Sequence, residues 1–493
     1  MRKKILFWIN SGSMNIFGLS KYLQPDTDAE FFAIYDVTDK PKKFFQDQKI
    51  VNFKKIWFYH DFINKKTSQP DLNYLKKFEK DTNISLWKLA STERIFLYNE
   101  FYKFSTEEIT SILEQECKFF ENVLNEVKPD FVIMVKPNFH HDMLFVRLCK
   151  SKGIQVLDLA PTRFTKLSVI SFDEIRKQYD EFKISGNPRT FDELRKYRIE
   201  HGSLKIGDYQ SSKNDFLSSG IQYVFSQNEN PNTHYTYFGR SKSKVILNYI
   251  FDVFRTRSRK KFIDKNFCKE FKENKKFILY SAMVDIESNV LLHAPFHINQ
   301  IEVVKNIAKS MPSDHILLVK EHPGAYARSW RSVKSYNELR DIPGVKLIHP
   351  DADMNELIKK SSLVISISSS ASLDALFLEK PTILFAETDF SMMPSIQKIK
   401  EIEKLPKIIK DQIEQKIDSS EIEKYIQFIE KNSFEYDIYS HEQEMQQLLY
   451  HGGMLVDVND FEDGMNMYLE KTRSRFNQLK KPFLEKILTS RMR

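Results

Sequence analysis

Leu363-Val-Ile-Ser-Ile-Ser-Ser-Ser-Ala-Ser-Leu-Asp374 carries the clearest fold signal in this chain of 493 residues. An apolar strand predicted over 363–367 runs into the serine loop (Ser368, Ser369 and Ser370), and apolar residues at helical spacing follow. A strand, a polar loop and a helix form the unit of a parallel α/β sheet, in which ligands bind outside the carboxyl ends of the strands. The stretch therefore predicts an α/β fold with a binding site at the serine loop.

A second apolar strand runs into the histidine loop, Lys320-Glu-His-Pro-Gly324. His322 follows the strand predicted over 316–319, where an imidazole can donate a hydrogen bond to a phosphate or transfer a proton near neutral pH. Pro323 favours an extended backbone at the residue before it, and Gly324 allows close approach of the main chain. Taken alone, an ordinary turn with a surface histidine explains this loop better.

The serine loop has two physical interpretations of its own. Free N–H groups and the positive end of the helix dipole attract anions at a helix start, and serine hydroxyls add donors. Asp374, about one turn into the helix, can accept hydrogen bonds from ribose hydroxyls. Alternatively, serine caps the helix and an early aspartate complements its dipole. Taken alone, the loop is better explained by capping.

Short apolar runs alternate with longer amphipathic ones, which indicates two Rossmann-like halves with parallel sheets. We predict an N-terminal domain over 1–240, a basic helical linker over 241–270, a C-terminal domain over 271–400 and a helical extension with a basic tail over 401–493. The segment 56–127 is predicted to be mostly helical. Neither a G-x-G-x-x-G fingerprint nor a P-loop occurs, which argues against hydride transfer and ATP hydrolysis. The predicted strands are 4–9, 31–34, 131–135, 155–159, 276–281, 316–319, 345–348, 363–367 and 382–385.

The composition argues against several classes of protein. Cys117, Cys149 and Cys268 lie far apart without a C-x-x-C pair, which disfavours a disulfide framework or a zinc site and favours a reducing cytosol. No apolar run reaches the roughly 18 to 20 residues that span a bilayer. The N-terminal apolar segment is too short for a signal peptide and is predicted to be a strand. We expect a cytoplasmic protein.

Basic residues concentrate in two places. The tail 471–493 contributes +7 to a net charge of +8, and its apolar residues share one face, which predicts contact with the inner face of the plasma membrane although Pro482 interrupts the helix. A second cluster follows the apolar stretch 245–254 and suits an anionic membrane or a polyanionic acceptor, with a solvated surface as the simpler alternative. The tail face comprises Phe476, Leu479, Phe483 and Ile487, and the cluster comprises Arg255, Arg257, Arg259, Lys260 and Lys261.

Several motifs over about 277–396 occur in a distinctive order. They are Lys320-Glu-His-Pro323, Pro343-Gly-Val-Lys-Leu-Ile-His-Pro350, Asn355-Glu-Leu-Ile358, Val364-Ile-Ser-Ile-Ser-Ser-Ser370, Asp374-Ala-Leu376 and Lys380-Pro-Thr-Ile383. Together they resemble the C-terminal domain of the capsule polysaccharide biosynthesis glycosyltransferases, GT-B enzymes that include the bacterial Kdo transferases. The family commonly has Glu in place of Asp374. The resemblance implies a GT-B fold, with an N-terminal acceptor domain and a C-terminal donor domain facing a cleft.

The resemblance also implies a function and a set of donor-binding residues. The enzyme would be a metal-independent glycosyltransferase without a cofactor, moving a sugar from a nucleotide-activated donor, CMP-linked, to a growing surface or capsular polysaccharide or a lipid-linked acceptor. No nucleic acid partner is expected. A helix start and a histidine can stabilise the charge of the departing nucleotide without a metal. The donor phosphate and nucleotide would be held by Lys320, Glu321, His322, Pro323, Ser368, Ser369, Ser370 and Asp374.

Related enzymes place a catalytic carboxylate in the N-terminal domain. The candidates here are Asp158, near the end of one predicted strand, and His140 and Asp142 after another. His140-His141-Asp142 also looks like a metal motif, although adjacent ligands point apart on a regular backbone. Asp351-Ala-Asp353 imitates the D-x-D of metal-dependent transferases, and we expect it to cap a helix. The loop after the first strand is expected to face the cleft and comprises Asn10, Ser11, Gly12 and Ser13.

Three other functions remain open. Ser369, Ser370 and Asp374, followed by Lys380-Pro381, are also similar to the CDP-glycerol polyol-phosphate transferases of teichoic acid synthesis. A UDP-sugar epimerase of GT-B fold would need an array of carboxylates in the cleft and would release no nucleotide in normal turnover. A non-catalytic scaffold of a polysaccharide assembly complex would use the basic tail as a tether.

Overall fold

The computed structural model describes residues 2–37, 39–63, 69–202, 234–326, 331–450 and 461–489. The part of the predicted N-terminal domain at 203–233 and the end of the tail at 490–493 lie outside the described residues. The strands are β1 (Lys4–Asn10), β2 (Glu30–Asp36), β3 (Lys55–Phe58), β4 (Phe131–Val135), β5 (Gln155–Pro161), β6 (Leu167–Ile170), β7 (Lys276–Ser281), β8 (His315–Lys320), β9 (Val345–Ile348), β10 (Leu363–Ser366), β11 (Thr382–Leu384), β12 (Ile396–Lys398) and β13 (Phe434–Glu435).

Helices cover both sheets, and none of those described is both long enough and apolar enough to cross a membrane. The α-helices are α1 (Met14–Leu23), α2 (Asp39–Asp47), α3 (Leu72–Thr82), α4 (Leu86–Ala90), α5 (Arg94–Leu97), α6 (Thr106–Val127), α7 (His140–Ser151), α8 (Phe172–Arg176), α9 (Phe191–His201), α10 (Lys242–Asn266), α11 (Ser288–Leu291), α12 (Gln300–Ser310), α13 (Val333–Arg340), α14 (Met354–Lys360), α15 (Ser370–Phe377), α16 (Leu405–Ile413), α17 (Ser419–Asn432), α18 (Ile438–Leu449), α19 (Phe461–Lys471) and α20 (Arg473–Thr489). Short 3-10 helices span Gln24–Asp26, Tyr59–Asp61, Tyr235–Tyr237, Pro295–His297, Pro323–Tyr326 and Ile402–Lys404.

The strands form two sheets. The first has the order β13-β6-β5-β4-β1-β2-β3, parallel from β5 to β3, with β6 and β13 each antiparallel to its neighbour. The second has the order β12-β11-β10-β7-β8-β9 and is parallel throughout. Alternate residues enter opposite cores, as where Phe7 packs on one face of β1 and Trp8 on the other. Both faces of each sheet are therefore buried, which explains the continuous apolar runs in the sequence.

Most of the strand predictions are confirmed, and the errors have local causes. Strands β4, β7 and β9 match their predicted bounds, and the other predicted strands differ at their ends. The prediction of a mostly helical 56–127 is wrong at its start, because Trp57 and Phe58 belong to β3 on the edge of the first sheet. Strands β6, β12 and β13 were not predicted: β12 and β13 lie at sheet edges, and β6 and β13 pair antiparallel, outside the regular strand-helix alternation. The predicted domain boundaries stay a prediction.

The tail helix α20 packs against α1. Phe476, Leu479, Phe483 and Ile487 are each 0% exposed and belong to the core on one face of the first sheet. Pro482 lies inside the helix without ending it. The prediction that this apolar face contacts the inner leaflet is therefore wrong, because the protein itself buries the face. The predicted contact through the basic side chains of the tail is not tested by this packing.

Gly18 lies where α1 meets α20, and its lack of a side chain permits the contact. A Cβ atom at this position would lie 2.1 Å from Cζ of the buried Phe476 ring. We expect Gly18→Ala to lower the free energy of unfolding by about 1–3 kcal/mol, the usual cost of overpacking, in urea denaturation. Gly12→Ala is the control, since its Cβ would meet only Asn10 Oδ1 at 3.4 Å. Equal stability losses in the two variants would contradict the packing argument.

Candidate active site

A cavity of about 1340 Å³ lies between the carboxyl edges of the two sheets. The first half contributes the ends of β1, β2, β4 and β5, and the second contributes residues that follow β7, β10 and β11. Helix α18 from the C-terminal region closes a third side. The cavity exceeds the roughly 300–1,000 Å³ typical of a site for one small ligand, so it has room for two substrates.

Side chains of the two halves meet around this cavity. Arg163 Nε donates to Asp389 Oδ1 at 2.8 Å, and Arg176 pairs with Glu387. Thr92 Oγ1 donates to the carbonyl oxygen of Leu291 at 2.7 Å. These bonds fix the relative positions of the loops that line the cavity.

The serine loop starts helix α15 at the cavity. Ser369 is the N-cap, with its Oγ accepting from the N–H of Ala371 at 3.2 Å and from Ser281 Oγ at 3.2 Å. Ser370 is the first helical residue, and Ser368 is buried and lines the cavity. The capping interpretation is correct, and the cap bond occupies the N–H of Ala371. Anion binding at this helix start stays a prediction.

The two loops lie at the same edge of the second sheet. Ser281, at the end of β7, is in register with Ser366 of β10 on one side and with Lys320 of β8 on the other. Neighbouring strands are about 4.8 Å apart, so the loops begin about 10 Å from one another. The two loops therefore flank one strand.

Buried charged side chains fix the conformation of the histidine loop. Lys320 Nζ donates to the carbonyl oxygen of Pro350 at 2.8 Å, and burial lowers the pKa of this amine to about 8. Glu321 accepts two bonds from Arg331 Nη1, at 2.7 and 2.6 Å, and Arg331 Nη2 also donates to Asp285 Oδ1 at 2.8 Å. Lys320 and Glu321 therefore shape the loop, and Arg331, which the sequence did not single out, is the centre of the network.

His322 is oriented by its own loop. The backbone N–H of His322 donates to Glu321 Oε1 at 2.7 Å, and its ring Nδ1 accepts from the backbone N–H of Gly324 at 3.0 Å. Burial lowers the pKa of the ring, so it is neutral at pH 7 with its proton on Nε2. Pro323 follows as the first residue of a 3-10 helix. His322 is not among the described residues that line the cavity, and its contact with a donor phosphate stays a prediction.

Asp374 joins the two halves of the protein. Its Oδ1 accepts from Arg198 Nε of helix α9 at 2.8 Å, and neither residue lines the cavity as described. A nucleoside would have to bond through the second carboxylate oxygen or displace the arginine. The nucleoside-binding role stays a prediction, with this ion pair as its competitor.

The loop after β1 reaches the cavity. Asn10, Ser11 and Gly12 line it, and Asn10 Oδ1 accepts from the N–H of Gly12 at 2.9 Å. Ser13 is buried beneath the loop, with its Oγ accepting from the N–H of Asn10 at 2.9 Å. The first three residues therefore offer polar groups to a substrate, and Ser13 holds the turn.

In the second half, Asp353 caps α14 by accepting from Asn355 N–H at 2.8 Å, as expected for the D-x-D stretch.

His140 and Asp142 lie below the cavity, at the start of α7. His140 is 0% exposed, with Nδ1 3.1 Å from Glu93 Oε2 and Nε2 3.0 Å from Glu116 Oε1. Burial opposes its charge, but the two glutamates outweigh burial and raise the pKa to about 10. Asp142 Oδ2 accepts from Asn138 N–H at 3.0 Å, and burial raises its pKa. Neither side chain lines the described cavity, so neither is placed to deprotonate a substrate there.

Two groups of three side chains in the described part of the chain could offer ligands to a metal ion, because the ligand atoms of each group lie within 4.8 Å of one another. His141 belongs to both groups and His140 to one. The ring nitrogens are already bonded: His141 Nε2 lies 3.1 Å from Asp36 Oδ2, and its Nδ1 lies 3.3 Å from Tyr235 Oη. A metal ion would have to displace these partners and those of His140. The geometry fits a buried hydrogen-bond network better than a metal site. The two groups are Glu116, His140 and His141, and Asp36, His141 and Asp142.

Asp158, the third candidate base, lies in the lining of the cavity on β5. Enclosure in the cleft raises the pKa of its carboxyl to about 6, and the charge of Asp173 adds to that shift. At pH 7 the carboxylate is ionised and yet basic enough to accept a proton from a hydroxyl in a transition state. Of the three predicted base candidates, Asp158 is the one whose side chain lines the described cavity.

Cations without carboxylate partners also line the cavity. Lys136 and Arg147 form no ion pair within the described part of the chain, whereas the nearby Lys150 pairs with Asp173 at 2.7 Å. His293, from the second half, lines the same wall. Enclosure and the charge of Lys136 lower the pKa of His293 to about 4. This wall therefore carries net positive charge, which suits an anionic substrate.

Sequence motifs did not point to this wall or to Glu442. Glu442 lies on α18 and lines the cavity, and burial raises its pKa to about 7. Arg147 looks like an ordinary cation on an amphipathic helix, and Glu442 lies far along the chain from either loop. Only the tertiary fold brings these groups into one cavity with Asp158.

The family comparison agrees with the motifs. Residues 219–397 match the model of a family described as capsule polysaccharide biosynthesis protein. The matched segment contains both loops, so the resemblance inferred from the sequence is confirmed there. The arrangement of two Rossmann-like halves facing a cleft, followed by helices, is the predicted GT-B fold. No curated protein matches the chain.

Solved structures align over much of the chain at low identity. The co-structure of S. aureus MnaA with UDP shares 15% identity over 87% of this chain and 91% of that chain, with a TM-score of 0.23. The beta Kdo 2,7 transferase KpsC of Thermosulfurimonas dismutans shares 12% over 69% and 87%, with a TM-score of 0.29. The Methanocaldococcus jannaschii UDP-GlcNAc 2-epimerase with UDP-GlcNAc and UDP shares 13% over 87% and 99%, with a TM-score of 0.26. At these TM-scores the alignments carry no argument about this chain.

Proposed function

We propose that this chain, which carries a capsule polysaccharide biosynthesis segment at 219–397, is a glycosyltransferase. The donor is a nucleotide-activated sugar, CMP-linked, and the acceptor is a growing surface or capsular polysaccharide or a lipid-linked precursor. The observation that carries the proposal is the cavity between the two sheet edges, where Asp158 and Ser368 share one lining. A reaction of two substrates needs this combination of a base and an anion-binding helix start.

The donor half of the mechanism uses the second sheet. The N–H groups at the start of α15 and the hydroxyls of Ser369 and Ser370 take the donor phosphate. The Nε2–H of His322 adds a donor from the neighbouring loop. As the glycosidic bond breaks, negative charge grows on the departing nucleotide, and these preorganised donors stabilise it.

The acceptor half uses the first sheet. Asp158 takes the proton of the attacking hydroxyl, and Lys136 and Arg147 hold the anionic part of a substrate. Because cations and N–H groups carry the charge of the phosphate, we propose that the reaction needs neither a metal ion nor a cofactor. Free Cys117 and Cys149 agree with action in the reducing cytoplasm.

Nucleotide release from CMP-, CDP- and UDP-activated donors tests the proposal. We expect CMP release that rises when acceptor is added and is unchanged by EDTA. Ser369→Ala should lower kcat/KM about 10- to 10³-fold, the range for losing one group that stabilises developing charge. Ser332→Ala is the control, since Ser332 also caps a helix, with Oγ accepting from Ser335 N–H at 3.1 Å, and lies outside the serine loop.

Each other result would assign a different function. CDP release would point to polyol-phosphate transfer, and loss of activity in EDTA would contradict the metal-free mechanism. If the protein turns over no donor, and if its Asp158→Asn variant still restores capsule formation, the protein is a scaffold.

An epimerase of UDP-sugars is the second candidate. The observation in its favour is the number of carboxylates in the cavity, as its deprotonation chemistry requires. Solvent deuterium entering the sugar of a UDP-linked donor, without net UDP release, would establish it. The carboxylates are Asp36, Asp158, Asp173, Glu387, Asp389 and Glu442.

A further inference from the structure

Helix α10 leaves an apolar stripe exposed along its first half. Ile246 and Ile250 are 38% and 46% exposed, and Phe254 is 62% exposed. At 100° per residue, these positions and their neighbours Leu247 and Phe251 fall within a sector of about 140° on the helix. Soluble proteins rarely expose a contiguous patch of large apolar side chains without a partner for it.

The opposite side of the same helix attaches it to the protein. Arg259 and Ile263 are buried, and Ile263 belongs to a core of the second sheet. Arg255, at the edge of the stripe, lies 3.7 Å from Glu100 of the first half. The helix is therefore held with its apolar stripe directed to the solvent.

Basic residues follow the apolar stripe on the same side of the helix. Arg257 and Lys261 are exposed and project from the same sector, one and two turns beyond Phe254. Helix α10 as a whole has eight Lys/Arg against two Asp, a net charge of +6 in a chain of net charge +8. One helix thus presents an apolar surface followed by a cationic one, both on the side away from the protein.

We propose that this stripe of α10 docks the protein on an anionic phospholipid bilayer. Apolar side chains enter the boundary between headgroups and acyl chains, and the cations bind lipid phosphates. A second copy fits poorly, because two helices of charge +6 repel each other. A polyanionic saccharide fits only half of the surface, since it offers nothing to the five apolar side chains. The docking does not depend on the proposed reaction.

Co-sedimentation with vesicles tests this docking with the full chain and no donor. We expect binding to vesicles of phosphatidylcholine with phosphatidylglycerol, and much weaker binding to phosphatidylcholine alone. Ile250→Ser with Phe254→Ser should weaken binding at least tenfold, because burying each side chain is worth about a factor of ten or more. Ile199→Ser is the matched control, since Ile199 is an isoleucine on α9 that is 84% exposed.

A second pair of variants separates this helix from the basic tail. Arg257→Glu with Lys261→Glu should abolish the preference for anionic vesicles, whereas Arg473→Glu with Lys481→Glu, which changes the net charge equally, should preserve it. All four side chains are exposed, so thermal melting should show folded variants. Binding that survives the α10 changes would overturn the proposal, and so would equal loss with the tail variants. A concentration-dependent dimer that Ile250→Ser dissolves would also overturn it, in favour of a second copy.

Discussion

Asp158→Asn is expected to lower kcat for donor-to-acceptor transfer by about 10²- to 10⁴-fold, the usual contribution of a general base. Asparagine keeps the size of the side chain and cannot accept the proton of a hydroxyl. In the unmodified enzyme, activity should fall as the pH drops through about 6, because the carboxylate whose pKa is raised to about 6 becomes protonated. The residual activity of the variant should lose this dependence. Nucleotide release measured from pH 5 to 8 gives both results.

Glu442→Gln is the comparison that makes this test specific. Glu442 lines the same cavity, and its pKa is raised to about 7. If Glu442 were the base, the acidic limb would lie near pH 7, and Glu442→Gln would remove it while Asp158→Asn would not. A limb near pH 6 that only Asp158→Asn abolishes assigns the base to the first sheet.

Arg331→Leu is expected to reduce the free energy of unfolding by about 3–5 kcal/mol, the cost of breaking a buried ion pair. The substitution leaves the buried carboxylate of Glu321 and that of Asp285 without their shared cation. Urea denaturation at pH 7.5 gives the magnitude. Burial raises the pKa of the Asp285 carboxyl, and without Arg331 nothing of comparable strength opposes it. This carboxyl therefore binds a proton more readily in the folded variant, so the loss should be smaller at pH 5 than at pH 7.5.

Arg195→Leu controls for the loss of an arginine. Its side chain is 33% exposed and pairs with Asp192 and Glu379 at the surface. Exposed pairs of this kind contribute about 0–1 kcal/mol. Should Arg331→Leu fail to fold, Arg331→Lys retains one charge and is expected to recover part of the stability. Equal costs at positions 331 and 195 would show that the histidine loop does not depend on this network.

Local patterns were sufficient for the parallel strands and for the two loops. Strand β10 is a continuous apolar run because both of its faces are buried, and the serines after it start a helix as serines prefer. The common edge of the two loops also follows from the order of strand, loop and helix, since parallel strands end on one side. These features depend on neighbours in the sequence, and so the sequence shows them.

The features that sequence patterns missed depend on distant partners. The pairing of Asp374 with Arg198 joins residues 176 positions apart, and no pattern around either residue announces it. The apolar face of the tail was assigned to a membrane because a buried helix and a membrane-bound one have the same periodicity. The burial of this face against the protein, as where Phe476 packs on Gly18, distinguishes the two.

The core that contains Phe7 is completed only late in the synthesis of each chain. Helix α1 packs on one face of the first sheet, and residues between Tyr436 and Ile487, more than 400 positions after β1, complete the core around it. At roughly 5–20 residues per second, a ribosome needs on the order of 20 to 80 seconds to add those 400 residues. Through that interval the apolar residues of this core lack part of their cover. The nascent chain is therefore exposed to aggregation, and a chaperone that shields this face would improve the yield of folded protein.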